Sequence, residues 1–505
     1  MDVAIRGIDV AVILAYLLGV VAFGVWVGRG QRNVAEYLLG GRSLPWWAVL
    51  LSIVATETSS VTFLSIPGLA FNPQGGSMVF LQLTFGYVVG RLLVVLLFLP
   101  HYFRGDLLTA YEVLDRRFGG ATKQAASALF LVMRNLADGL RLYLTAIVLQ
   151  RVLGVDLWLS VIVMGAATIV YTFLGGMKSV IWNDCVQFVI YVAGGLLALA
   201  VILAKLGAAG GTPAGFSANL AHGWTQMAEF AHAQGKFRVF DLAFDLGKPY
   251  TLWAGVLGGI FVAMATHGAD QLMVQRYLSA RSRKEASWAL GLSGPVVAVQ
   301  FALFLLIGVG LACFYHLFPP QMPFERNDEV FATFIVDQLP PGVTGLVVAA
   351  VFAAAMSTLS GSLNSSAAAA VNDFYVPWRK ESPSPEHLLR VSRAWTIVFG
   401  LVQIGVGILG QLFASSVIES VMAIALFTTG GILGVFFLGV LTPHVTQRGA
   451  LVGLVGGLAF MTALVVIVPW LTGSALVAWP WYALAGSAIT FAVGLGFHSS
   501  EGVST

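Results

Sequence analysis

Ala354, Ser357 and Thr358 stand at i, i+3 and i+4 in the stretch "AAAMSTLSGSLNSSAAAA", so a helix sets them on one face. A carbonyl one turn ahead of two adjacent hydroxyls is a set of neutral oxygens, the ligand type that hard cations take. Such a set suits a monovalent ion. One helix cannot complete the shell, because most of its carbonyls are already hydrogen-bonded. The stretch "VATETS" offers the missing ligands: Thr56, Glu57, Thr58, Ser59, Ser60 and Thr62 crowd an apolar run that continues to Pro67. A carboxylate inside such a run marks a pathway more readily than a packing face. A helix broken here would free carbonyls near Ala55 and Thr58.

Other polar groups interrupt apolar runs. In "RNLADGLRLYL", spacings of four and three put Arg134, Asp138 and Arg141 on one helical face, where they can neutralise one another. A structural charge cluster and a solute contact both stay open for them. Asp184, in "GGMKSVIWNDCVQ", has no basic neighbour on its own run except Lys178 at the edge, and suits an ion pathway. His222 and His232 lack metal-ligand spacing. His101 and His267 lack the partner acid that would make a catalytic pair, so no enzyme chemistry is expected. Cys185 and Cys313 lie in apolar surroundings and give no disulfide framework.

The elements that must hold these groups follow from composition. The chain has 505 residues, 58% of them hydrophobic and 10% charged, with a mean hydropathy of +0.86. Average soluble domains carry about 25% charged residues, so this is an all-α polytopic membrane protein. Apolar runs lie near 8–28, 46–71, 78–100, 124–150, 155–174, 179–205, 250–275, 286–314, 343–371, 392–413, 416–440, 447–470 and 478–497, which predicts thirteen spans. Most of the 27 Lys and Arg fall in alternate connections: Arg29, Arg32, Arg42; Arg104, Arg116, Arg117, Lys123; Lys178; Arg276, Arg281, Arg283, Lys284; Arg379, Lys380, Arg390, Arg393; Arg448. Cytoplasmic loops hold such charges, so the N-terminus is expected outside and the C-terminus in the cytoplasm. Residues 206–248 read as an external loop with a surface-lying helix.

A second interruption is predicted in 250–275, at Gly258, Gly259, Gly268 and Asp270. The two interrupted spans are the second and the seventh. An odd offset runs them in opposite directions, the pattern of inverted-repeat transporters with a site at the midplane. The expected layout is one transporter domain over 1–505: an extra span at 8–28, a first five-helix repeat at 46–205, the loop at 206–248, a second, inverted five-helix repeat at 249–440, and two last spans at 447–497.

The stretches "GGRSLPWWAVLLSIVATETSSVTFLSIPG", "TAYEVLDRRFG", "GGMKSVIWNDCVQ", "DQLMVQRYLSA" and "AAAMSTLSGSLNSSAAAAVNDFY" together resemble the sodium:solute symporter family, most closely its bacterial sialic acid symporters. The resemblance implies a LeuT-type fold of 5+5 inverted repeats and sodium-driven uptake by alternating access. It places a sodium site on Ala55, Thr58, Ala354, Ser357 and Thr358. A second sodium, present in some members, would fall on Asp184, Ser357 and Ser360, but Gly361 replaces a serine those members keep. Solute positions carry over to Ser59, Thr62 and Gln82, with Glu57, Ser60, Asp138 and Asp270 as further candidates. The carboxylate-binding arginine of the sialic acid members aligns with Ala137, one turn from Arg134.

The implied function is sodium-coupled import of a small polar solute: a sugar, polyol or sugar acid. The same fold could carry a monocarboxylate, amino acid or vitamin, and an uncoupled channel or a transporter-derived sensor is the alternative of another class. The implied partners are sodium, the solute and the lipid bilayer of the plasma (inner) membrane, with no nucleic acid.

Overall fold

The computed structural model describes residues 6–209, 215–320, 323–324, 326–381, 383–412 and 415–497; residues 210–214 of the expected external loop lie outside that set, as does residue 413 of the expected span 392–413. The described residues form helices and contain no β-strand, with one isolated bridge between Leu44 and Ala280. The principal helices are α1 (Gly7–Val27), α2 (Trp46–Glu57), α3 (Ser60–Phe71), α4 (Gln82–Leu97), α5 (Gly120–Leu153), α6 (Leu157–Ala208), α7 (Phe216–Ala233) and α8 (Ala254–Ala269). They continue with α9 (Gln271–Leu278), α10 (Arg283–Leu317), α11 (Val343–Tyr375), α12 (Pro385–Leu412), α13 (Ser415–Leu441), α14 (Gln447–Thr472) and α15 (Tyr482–Leu495). Among the described residues, eight helices are long and apolar enough to cross a membrane, or nine if α2 and α3 form one broken span.

Helix α6 covers two of the expected runs. As one rod its 52 residues would reach about 78 Å, far beyond a hydrocarbon core of about 30 Å. Gly176 breaks it, with φ +53 and ψ −155. The Tyr37 carbonyl approaches this position so closely that a Cβ would overlap it, so both the conformation and the space call for glycine.

Small residues let helices approach by their backbones. On α4, Gly86 faces the carbonyls of Gly255 and Val256, and Gly90 faces that of Ile260, which brings α4 directly against α8. Helix α7 lies within residues 206–248, where a helix is expected, and it crosses the end of α6 where Gly223 meets the Leu203 carbonyl.

In α11, 89% of the most apolar window is buried, against 22% in α1, which makes α11 central and α1 peripheral. Two charged groups cap helix ends from afar. Buried Asp9 on α1 accepts from the N–H groups of Gly342 (2.7 Å) and Gly345 (2.8 Å), supplying the start of α11 with an anion. At the end of α3, the Lys236 ammonium donates to the carbonyls of Ala70, Phe71 and Asn72 at 3.1, 3.0 and 2.8 Å. Burial lowers the pKa of this lysine.

Candidate cation and solute site

Helices α2 and α3 meet at an angle of 62°. Between them Thr58 (φ −86, ψ 94) and Ser59 (φ −80, ψ 163) are extended, which ends one helix and starts the next. Ser59 caps α3 by accepting from the Thr62 N–H at 3.2 Å. The last turn of α2 then has four carbonyls without helical partners. That of Val54 takes the Thr58 N–H and hydroxyl, and that of Thr56 takes the Thr358 hydroxyl at 3.0 Å. The carbonyl of Ala55 meets no donor among the described residues.

The Thr358 hydroxyl also reaches the Ala354 carbonyl at 3.4 Å, so the small-residue face of α11 lies against this break. Ala55, Thr58, Ala354 and Ser357 are at most 1% exposed and Thr358 is 6% exposed, which leaves no bulk water to compete for an ion. Of the residues expected to hold a cation, Thr358 and Ala354 meet the end of α2 next to the break, while the Ser357 hydroxyl is directed to Asp184. Gln300 donates to the Thr58 hydroxyl and accepts from Tyr191 at 2.9 Å, bracing the break from α10.

The second interruption lies at Asp270, extended at φ −96 and ψ 121 between α8 and α9. Its carboxylate caps α9 through the Leu272 N–H at 2.9 Å and pairs with Arg134 of α5. Arg134 also lies 3.7 Å from Asp138, and Arg141 pairs with Asp138 at 2.5 Å. The face predicted from spacing is real, and it extends across to Asp270.

Two cavities flank this cluster. A narrow one, about 10 Å³, is lined by Ser59, Ser60, Asp138, Arg141, Thr145 and Thr358 together with apolar side chains. A larger one, about 150 Å³, has Arg134, Arg141, Thr266, Asp270, Thr428 and Thr429 as its polar lining, with Tyr111, Phe130 and Ile432 among the rest. Arg141 borders both. The buried Asp138 Oδ2 has no hydrogen-bond partner among the described residues, an expensive state for a buried carboxylate oxygen.

The other expected solute residues lie elsewhere. Gln82 is spent on backbone: it donates to the carbonyls of Val79 (3.1 Å) and Tyr250 (3.2 Å) and accepts from the Asp241 N–H. Thr62 bonds Ser59. Glu57 pairs with fully buried Arg91, whose Nε donates to His267 Nε2 at 3.2 Å. His267 Nδ1 and the Tyr277 hydroxyl are hydrogen-bonded at 2.7 Å, and His267 Nε2 lies 3.7 Å from the Glu57 carboxylate.

Asp184 also has a partner that its own run does not reveal. Arg276 of α9 pairs with it at 3.1 Å, and both side chains are fully buried. This corrects two expectations. Arg276 does not belong with the loop cations, and Asp184 is not short of a basic neighbour. Ser52, Thr56 and Ser357 also donate to this carboxylate, Ser357 at 2.7 Å. Ser360 turns back to the Ser357 carbonyl at 3.0 Å. Arg91, Thr145, Thr266, Arg276, Thr428 and Thr429 were not singled out from sequence. An arginine inside a span was the available signal for Arg91; the threonines gave none.

Comparison with known proteins accords with this geometry. The model of the sodium:solute symporter family matches residues 37–457. The human sodium/iodide cotransporter is 30% identical over 464 residues, covering 89% of this chain and 68% of that one. The sodium/sialic acid symporter SiaT of Proteus mirabilis is 29% identical over 459 residues, covering 89% of this chain and 87% of that one. The structure of a Na+-coupled sialic acid symporter, solved substrate-bound and outward-open, superposes with a TM-score of 0.85 at 27% identity and covers 97% of both chains. MhsT, solved in complex with L-phenylalanine, shares the fold at a TM-score of 0.52 and 14% identity, covering 92% of this chain and 98% of that one. A broken helix laid against a buried small-residue helix, in a chain matched over most of its length, identifies a multi-pass membrane transporter that belongs to the sodium:solute symporter family.

Proposed function

We propose that this symporter imports a hydroxyl-rich solute of the sugar or sugar-acid class together with sodium. The observation that carries the reading is Asp138 Oδ2, which accepts no hydrogen bond among the described residues although Arg134 lies 3.7 Å away, and which shares its cavity with Ser59, Ser60, Thr145 and Arg141. A solute hydroxyl would satisfy the carboxylate oxygen, the protein hydroxyls would bond its neighbours, and Arg141 would take a carboxylate if the solute carries one. In this reading the solute lies across the two cavities that Arg141 borders. Sodium is held beside it by the carbonyls of Ala55, Thr58 and Ala354 and the hydroxyls of Ser357 and Thr358.

Sodium would fix the angle between α2 and α3 by bonding both sides of their break. Because Ser59 and Ser60 begin α3, the same ion would pre-order the solute site, which is the differential binding that coupling requires. The architecture proposed around it has thirteen spans and inverted five-helix repeats at 46–205 and 249–440, with flanking spans at 8–28 and 447–497. The N-terminus is outside and the C-terminus is in the cytoplasm. The places of the two interrupted helices in the order of apolar runs and the Lys and Arg in alternate connections support this arrangement.

A second reading is a smaller anion, favoured by Arg134 and Arg141 at the larger cavity and by the iodide named for the human relative. Thermal unfolding of the purified protein with sialic acid, glucuronate, glucose, lactate or iodide, each with and without sodium, separates the two. The first reading expects sodium-dependent stabilisation by a sugar or sugar acid. Stabilisation by iodide or lactate alone supports the second, and a response without sodium dependence overturns coupling at this site.

A further inference from the structure

The sodium site at the first break has a neighbour that is already filled. Asp184 on α6 is fully buried, and a buried carboxylate ringed by serines is the kind of group that would draw in a cation. Here the positive charge is part of the chain. Arg276 reaches Asp184 at 3.1 Å, donates through Nε to Ser52 at 2.9 Å and through Nη1 to the Leu272 carbonyl at 2.7 Å, and bonds the Thr56 hydroxyl through Nη2. Donors from α2, α9 and α11 therefore surround the carboxylate, and the guanidinium has used most of its N–H groups.

Gly361 makes the room. A Cβ at that position would overlap Nη2 and lie 2.9 Å from Nη1, so the guanidinium occupies the space a side chain of α11 would take. Ser360, the nearest remaining hydroxyl on this helix, is turned to its own backbone.

We infer that the Arg276 guanidinium stands in for a second co-transported cation, so that this symporter takes up a single sodium in each cycle. The inference rests on the sodium site proposed at the first break. It assigns Arg276 the role of a positioning residue. Its fixed charge neutralises Asp184 and ties α9 to α2 and α6, and the same carboxylate accepts from Ser357 of α11; a sodium that dissociates on each turnover could not hold these helices continuously. Leaving Gly361 without a side chain is what admits it.

The test uses sodium alone as the probe. Equilibrium binding of radioactive sodium to the purified full-length protein should saturate non-cooperatively at a single sodium per chain. Asp184→Asn should leave that count unchanged, whereas Ser357→Ala with Thr358→Ala should abolish or strongly weaken it. Arg276→Gln with Gly361→Ser empties the guanidinium's place and adds a hydroxyl, and this pair should acquire a second, Asp184-dependent sodium. Two sodiums in the unmodified protein would overturn the inference while leaving sodium symport intact. A single sodium lost with Asp184→Asn would also overturn it, by placing the ion at Asp184. No sodium bound would overturn both readings. Should either Asp184→Asn or the paired variant fail to fold, the count in the unmodified protein still decides.

Discussion

The two interrupted helices solve the same problem in opposite ways. Between α2 and α3 the chain leaves the helix through the neutral Thr58 and Ser59, and the Ala55 carbonyl of the last turn finds no donor among the described residues. Between α8 and α9 an ion pair spans the break. Asp270 caps the following helix and binds Arg134, while the Gly268 carbonyl takes the Tyr102 hydroxyl. An opening lined with unsatisfied oxygens can receive an ion, whereas one stitched by an ion pair acts as a latch. In the function proposed above sodium takes the first break, while the ion pair of Arg134 and Asp270 holds the second.

This contrast can be broken or sharpened by mutation. The largest effect is expected at the latch. Arg134→Ala leaves Asp270 buried without its cation, which should cost roughly 3–5 kcal/mol and appear as a marked fall in the thermal unfolding midpoint. Arg134→Gln combined with Asp270→Asn should recover part of that loss, since neither charge is stranded; no recovery would mean the pair is not coupled. Next comes the open break. Ser357→Ala with Thr358→Ala should raise the sodium concentration for half-maximal uptake about tenfold or more, the equivalent of about 1.4 kcal/mol, with the fold intact. An unchanged sodium requirement, together with a shift in Asp270→Asn, would invert the contrast.

At Asp138, the conversion to Asn preserves size but removes the charge, and should weaken solute affinity about ten- to a hundredfold, on the scale of about 1.5–3 kcal/mol for a hydrogen bond to an ion. Sodium binding without solute should stay as it was. The smallest effect belongs to Ser59→Ala, which removes the cap of α3 at about 1 kcal/mol and should lower the unfolding midpoint slightly. A large loss there would show that Ser59 does more than cap its helix.

Much of the scaffold can be read from the chain, and the reasons are local. Each apolar run carries a helix because spanning length and hydropathy are properties of consecutive residues. Both breaks were visible for the same reason, one in a cluster of Ser, Thr and Glu and the other in glycines beside an aspartate. The face shared by Ala354, Ser357 and Thr358 follows from helical spacing alone.

Partners across helices were hidden. Glu57 and Arg91 are 34 residues apart, and Asp184 and Arg276 are 92 apart. Only the packing of helices brings either pair together. Arg276 was misplaced because "VQRYLSA" looks like the end of a span followed by a loop, although Gln275, Arg276 and Tyr277 are all buried within α9. Gln82 was carried over from a resemblance, and its side chain instead holds the backbone at Val79, Asp241 and Tyr250.

The attachment of Asp9 to the start of α11 bears on how the protein can be handled. Helix α1 lies at the periphery and looks dispensable, so its end invites truncation or fusion. Yet its single carboxylate holds the N-terminal amides of the helix that carries Ser357 and Thr358, more than 300 residues away in the chain. Affinity tags and fluorescent reporters therefore belong at the other end. A shortened N-terminus would disturb the ion-binding helix while appearing to remove only a spare segment.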